Sequence, residues 1–196
     1  MSKGPVYSSF QGSDGETPIV VTSWLPDIEP IGVIQIVHGM REHMGRYDHF
    51  ARYLCDEGFI VYGHDHMGHG RTALNWGIYG YFGEEKGAKN LVDDSNYLTR
   101  YLSATYPELP LFIIGHSMGS FVSRLQILHT ADLLNGYICL GTGGDNPAAP
   151  LARAYAGALA GVKGPDTTSV ILDKGLDSTL QKGLGIEEEN DDWISH

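Results

Sequence analysis

Residues 111–129 impose the strongest constraint on how this chain folds. An apolar run, Leu111-Phe112-Ile113-Ile114, leads directly into Gly115-His116-Ser117-Met118-Gly119, and a helix-compatible segment from Ser120 to His129 follows. The order reads as a strand, a tight turn with glycines flanking a serine, and a helix. A serine pushed into so sharp a turn has a strained backbone, and its flanking positions must lack a Cβ for strand and helix to approach. Gly and Ser are common residues, so the pentapeptide alone says little; its place between strand and helix makes it informative.

Elsewhere short β-like runs alternate with helical ones, the pattern of an α/β fold with a mostly parallel sheet and helices on both faces. Tyr7–Gln11 and Ile19–Trp24 read as antiparallel strands joined by a turn at Gly12-Ser13-Asp14-Gly15. Ile31–Val37 is a β-branched run suited to a central strand, and Phe59–Tyr62, Leu111–Ile114 and Tyr137–Leu140 supply further strands. Helical spacing covers Arg46–Glu57, stopped by Gly58, and Asn90–Tyr106. Sheets of this kind gather functional groups at the carboxyl ends of their strands, where His38-Gly39-Met40, His64-Asp65 and Ser117 fall.

After Gly141-Thr142-Gly143-Gly144 the character changes. Leu151–Val162 is Ala-rich and apolar nearly all round, a short polar helix-like piece spans Leu176–Lys182, and five negative charges crowd into Glu187–Asp192. We read residues 1–144 as the core and 145–196 as a helical cap over the sheet. Leu151–Val162 suits either an acyl chain or packing onto the core, and the acidic run reads as a solvated face or linker.

With 196 residues, 42% of them hydrophobic, the chain can bury one sizeable core. A net charge of −11 argues against nucleic acid as a partner. Cys55 and Cys139 both lie in apolar segments, which fits two buried thiols in a reducing compartment. The first residues open no apolar run of signal type, and no stretch approaches the roughly 20 apolar residues of a membrane span. The expectation is a soluble, cytoplasmic protein; nothing in the sequence bears on oligomeric state.

His38-Gly39-Met40-Arg41-Glu42-His43, Gly45-Arg46-Tyr47, His64-Asp65-His66-Met67-Gly68-His69-Gly70 and Gly115-His116-Ser117-Met118-Gly119 stand in one order and spacing. In this the chain resembles the monoacylglycerol lipase and lysophospholipase branch of the α/β-hydrolases, often labelled serine aminopeptidase-like. The resemblance is close over roughly Gly32–Gly141 and looser beyond. It implies a serine hydrolase of carboxylic esters, of monoacylglycerol or lysophospholipid type, forming an acyl-enzyme on Ser117. It further implies that the backbone N–H groups of Met40 and Met118 form the oxyanion hole, with Gly39 and His116 beside a small-molecule or lipid acyl-ester substrate. No cofactor or metal is implied. Peptidase activity rests on the family label alone.

Several residues carry two readings. His38 shapes the turn behind the oxyanion hole or shuttles protons. His64, Asp65, His66 and His69 form a structural loop or a metal site. Arg41, Glu42 and His43 rim the pocket or belong to a plain surface loop.

A serine hydroxyl needs a base, and the base an orienting acid; in α/β-hydrolases both follow the serine in the chain. No such pair is recognisable here. His196 with Asp191 or Asp192 is a poor candidate, because no strand pattern separates the cap from His196 and acid and base would share one short segment. The expectation is a chain truncated within the cap, with the C-terminal strands missing and a sheet edge left exposed. A natural fragment, or an inactive ligand-binding member of the fold, are the alternatives.

Overall fold

Gly32–Val37 forms strand β3, buried at every position. Strand β4 (Phe59–His64) and strand β5 (Leu111–His116) flank it, both parallel to it, and β6 (Gly136–Leu140) continues the parallel sheet beyond β5. The hairpin β1 (Val6–Gln11) and β2 (Pro18–Trp24) joins antiparallel to β4, giving the order β1-β2-β4-β3-β5-β6. This computed structural model describes residues 4–83, 86–144, 147, 149–164 and 169. The helices are α1 (Asp48–Asp56), α2 (Gly70–Trp76), α3 (Gly87–Thr105), α4 (Met118–Thr130) and α5 (Ala149–Lys163).

The strand period of two divides the core. Ile34, Ile36, Val61 and Ile114 pack with Trp24, Met44, Ala51 and Cys55 on the α1 face. Val37 and Ile113 pack with Leu91, Val92 and Val122 on the face of α3 and α4, beside a second group containing Val33, Leu98, Leu102 and Leu111. Gln35 points into that same face without a cost in unpaired groups. Its amide donates to the Ser95 carbonyl at 3.1 Å, Thr99 Oγ1 donates to its Oε1 at 2.6 Å, and Ser95 Oγ donates to Gln126 Oε1 at 2.7 Å.

Register sets the site. Val37 pairs with Gly115, Ile36 with both Gly63 and Ile114, and His116 with Leu140. The parallel strands therefore end level, and the loops after β3, β4 and β5 emerge side by side.

Four expectations are revised. The helix expected over Arg46–Glu57 is a 3-10 turn at Met44–Tyr47 followed by α1, whose first residue Asp48 accepts from Trp24 Nε1 (2.8 Å) and Arg52 Nε (2.7 Å). Helix α2 was not foreseen. Its amide at Arg71 is capped by the Asp65 carboxylate (2.8 Å), six residues back in the loop before the helix and not at its N-cap position, although Gly77 at φ 84° marks its end. Cys55 is buried but Cys139 on β6 is only partly so; both are free thiols. Helix α5 leaves Leu151 and Val162 77% and 84% exposed, so the apolar segment does not pack onto the core among the described residues. Strand β6 is the last of the sheet among those residues, and Ile138 and Leu140 on it are exposed. The segments Leu176–Lys182 and Glu187–Asp192, and His196, lie outside the described residues. No helix among the described residues is long and apolar enough to cross a membrane.

Candidate active site

Ser117 occupies the corner between β5 and α4 with φ 50° and ψ −119°, one of three described non-glycine residues at positive φ. Such a conformation costs about 1–3 kcal/mol and survives only where its surroundings enforce it. Those surroundings are visible. A Cβ on Gly119 would stand 2.0 Å from the Val37 carbonyl oxygen, and one on Gly115 would stand 2.1 Å from Ser123 Oγ. The Ser117 amide donates to the Leu140 carbonyl at 3.0 Å, and its carbonyl accepts from the Ser120 amide at 2.9 Å. Met118 opens α4, so its N–H is among those a helix leaves without an intrahelical partner.

The turn after β3 packs directly onto this corner. A Cβ on Gly39 would lie 3.0 Å from the Ser117 Cβ, which brings the His-Gly-Met motif against the serine. Both sides of Gly39 are held. Its amide donates to Glu42 Oε2 at 2.7 Å, and its carbonyl lies 2.7 Å from His38 Nδ1. The His66 amide donates to His38 Nε2 at 3.0 Å, which leaves the ring proton on Nδ1, where it donates to Gly39. His66 Nε2 in turn donates to the His38 carbonyl at 3.1 Å. Gly39 O and Met40 N belong to one trans peptide, so fixing the carbonyl aims the Met40 N–H the opposite way.

His38, His64, His66 and His69 are buried. Burial, reinforced by the neighbouring rings, pushes His38, His64 and His66 well below the ordinary histidine range, and burial lowers His69 as well. His38 thus serves as a fixed, neutral brace rather than a proton carrier. Neither ring nitrogen of His64 has a hydrogen-bond partner among the described residues. Among those residues no three His, Cys, Asp or Glu side chains are arranged to hold a metal ion. Asp65 instead binds backbone: the Met44 amide donates to Oδ1 at 2.6 Å and the Arg71 amide to Oδ2 at 2.8 Å.

Glu42 was open between two readings, pocket rim and surface loop. It turns inward. Its Oε2 accepts from the Gly39 amide, from Tyr47 Oη at 2.8 Å and from His116 Nδ1 at 3.0 Å. Burial acts to raise the Glu42 carboxyl, but the His116 hydrogen bond and charge, with Gly39 and Tyr47, hold it below the usual range. The same hydrogen bond raises His116. His116 Nε2 faces Gly141, 3.5 Å from where a Cβ there would sit. Among the described residues, no histidine or carboxylate hydrogen-bonds the Ser117 hydroxyl. The sequence brought Ser117, Met40, Met118, Gly39 and His116 to notice, and the structure gathers their backbones at one place. It missed the convergence of Glu42 and Tyr47, whose only signal was their proximity to the His-Gly-Met motif.

Residues 28–179 match the family model described as serine aminopeptidase, S33. A monoglyceride lipase homolog of monkeypox virus is 31% identical over 152 residues, covering 74% of this chain and 50% of that protein. The monoacylglycerol lipase of Mycolicibacterium smegmatis is 38% identical over 111 residues, 57% of this chain and 37% of that one. Among solved structures, a thermostable carboxyl esterase from Bacillus coagulans superposes with a TM-score of 0.75 at 32% identity, over 96% of this chain and 60% of that chain. The chain spans half or less of the length of these two curated relatives. With its strained serine corner, its level strand ends and a family match over residues 28–179, the chain belongs to the serine aminopeptidase S33 family and has the α/β-hydrolase fold.

Proposed function

We propose that the protein is a serine hydrolase of carboxylic esters acting through an acyl-enzyme on Ser117. One observation carries the reading: the strained Ser117 corner sits at the head of α4 with the Gly39 turn packed against its Cβ. In this reading the corner is a nucleophile elbow. Ser117 Oγ attacks the acyl carbonyl carbon while its proton passes to a base. The carbonyl oxygen, now negative, is received by the N–H groups of Met40 and Met118. Fixed donors of this type are each worth about 3–4 kcal/mol when removed. Collapse expels the alcohol with a proton, and water then cleaves the acyl-enzyme. Gly39 and His116 line the substrate side of the turn.

The substrate class we propose is a monoacylglycerol or a lysophospholipid, in keeping with relatives named monoglyceride and monoacylglycerol lipases. The exposed apolar residues Leu151, Tyr155 and Val162 on α5 suit an acyl chain. We also propose a core over residues 1–144, a cap from 145, and a cytoplasmic location. A fluorophosphonate probe should label the full-length protein at Ser117, labelling should vanish in Ser117→Ala, and the labelled enzyme should lose monoacylglycerol hydrolysis. No labelling, together with ligand-induced thermal stabilisation, would favour the second reading, an inactive ligand-binding member of the fold. That reading draws on the absence of a base at the Ser117 hydroxyl among the described residues.

A further inference from the structure

One oxygen atom at the site accepts from three donors on three different segments. Glu42 Oε2 receives the Gly39 amide of the turn after β3 (2.7 Å), Tyr47 Oη of the following 3-10 turn (2.8 Å) and His116 Nδ1 at the end of β5 (3.0 Å). His116 Nδ1 also lies 3.3 Å from Tyr47 Oη, which closes the triangle. The Glu42 side chain is 20% exposed and that of His116 is 37% exposed, so the cluster is shielded without being sealed.

The backbone is bent to build this contact. Arg41, immediately before Glu42, has φ 59°, a left-handed conformation that a residue bearing a Cβ adopts at a cost. That reversal brings the Glu42 carboxylate back onto the amide three residues earlier. Two strained residues, Arg41 and Ser117, thus lie on either side of one carboxylate cluster. Strain at such positions persists because the surrounding structure over-determines it, and it is a mark of functional sites.

We propose that Glu42 is a positioning residue that joins the oxyanion turn to the nucleophile turn, its single oxygen holding the Gly39 amide and the His116 ring in fixed relation. The inference rests on the reading of Ser117 as nucleophile. Its mechanical logic is short. Gly39 is held at its N–H by Glu42 and at its C=O by His38, so the peptide carrying the Met40 N–H cannot rotate. His116 adjoins Ser117 in the chain, so holding its ring holds the serine corner. The Met40 and Met118 amides then keep a common focus beside Ser117 Oγ. Preorganisation of this sort matters because donors displaced by about 1 Å lose much of their catalytic value. Of the neighbouring groups, Arg46 opposes the upward shifts that burial and Glu42 impose on Tyr47 and that the Glu42 hydrogen bond imposes on His116, and the Glu42 charge partly offsets the lowering of His69 by burial.

The test uses the full-length protein with Glu42→Gln, Glu42→Ala, His116→Ala and the Glu42/His116 double alanine variant. Fluorophosphonate labelling and turnover of a short-chain p-nitrophenyl ester are read beside the melting temperature. Glu42→Ala should slow labelling and kcat by roughly tenfold to a hundredfold, with KM little changed, the range for losing a charged hydrogen-bond partner. Glu42→Gln, which retains an acceptor for the Gly39 amide, should recover part of that loss. The double variant should be no slower than the slower single one. Wild-type rates in folded Glu42→Ala, or additive losses in the double variant, would overturn the proposal. An NMR titration separates this outcome from failure of the Ser117 reading. In the wild type, the Gly39 amide resonance should follow the His116 ring as it titrates, and should cease to do so in Glu42→Gln. If Ser117 is never labelled but the two still titrate together, the nucleophile reading fails and the linkage stands; if they titrate independently, the linkage fails.

Discussion

Gly119 in α4 and Val37 at the end of β3 approach so closely that a Cβ on the glycine would stand 2.0 Å from the Val37 carbonyl oxygen. The obstacle is backbone, and the carbonyl of His38 lies only 2.4 Å from the same position. The serine corner can exist only because the helix that follows it presses on the strand beside it. Gly119→Ala should therefore destabilise the protein by about 3 kcal/mol or more, the upper range for overpacking, as read from the urea midpoint. Gly144→Ala, where a Cβ would meet nothing within 4 Å, is the control and should have little effect.

The strain at Ser117 predicts a trade between stability and activity. Glycine accepts φ 50° without a Cβ penalty, whereas alanine does not. Ser117→Gly should melt higher than Ser117→Ala, by about 1 kcal/mol of stability, while both abolish fluorophosphonate labelling. Equal stabilities measured by chemical denaturation would show that the corner is relaxed.

The buried histidines predict acid lability. The unfolded chain takes up protons near the ordinary histidine value of about 6.5, but the folded chain resists them at His38, His64, His66 and His69. Stability is then fully present above that value and falls as pH drops below it, by about 1.4 kcal/mol per pH unit for each such histidine. His116 acts in the opposite sense: its raised value adds stability below the ordinary range that is lost as pH rises, but partial exposure makes this small. Denaturation midpoints between pH 7.5 and 5 should fall steeply. His64→Leu removes a ring whose two nitrogens have no hydrogen-bond partner among the described residues and should flatten the slope by roughly one proton.

Asp65 ties two loops at the site, through the Met44 and Arg71 amides. Asp65→Ala leaves both donors without their acceptor and should cost about 2–4 kcal/mol. Native-state hydrogen exchange should speed at those two amides first. Loss of stability without faster exchange there would assign Asp65 some other role.

The order of strands and helices was legible because each depends on local pattern. The β-branched run ending at Val37, the glycine after Glu57 and the strand before Gly115 all act within a few residues of themselves. Helix α2 was not legible, since the Arg71 amide in its first turn is capped by Asp65, six residues back at the start of the same loop, and not by a residue at the usual N-cap position. The split at Asp48 was hidden for the same reason, as Trp24 reaches it from β2.

The site divides along the same line. Gly115, Ser117 and Gly119 announce a strained corner by composition alone, because only glycine on either side permits it. Their sequence also pointed to Gly39, Met40, Met118 and His116 through resemblance. What it did not contain was the meeting of Glu42, Tyr47 and His116 on one oxygen, or the His38 bond that orients the Gly39–Met40 peptide. The first follows from β3 and β5 lying side by side with Val37 opposite Gly115, and the second from His66, in the loop after β4, donating to His38 Nε2. Local stereochemistry is written in adjacent residues; the meeting of the Gly39 turn with the Ser117 corner is decided by strand register, which only the packed sheet sets.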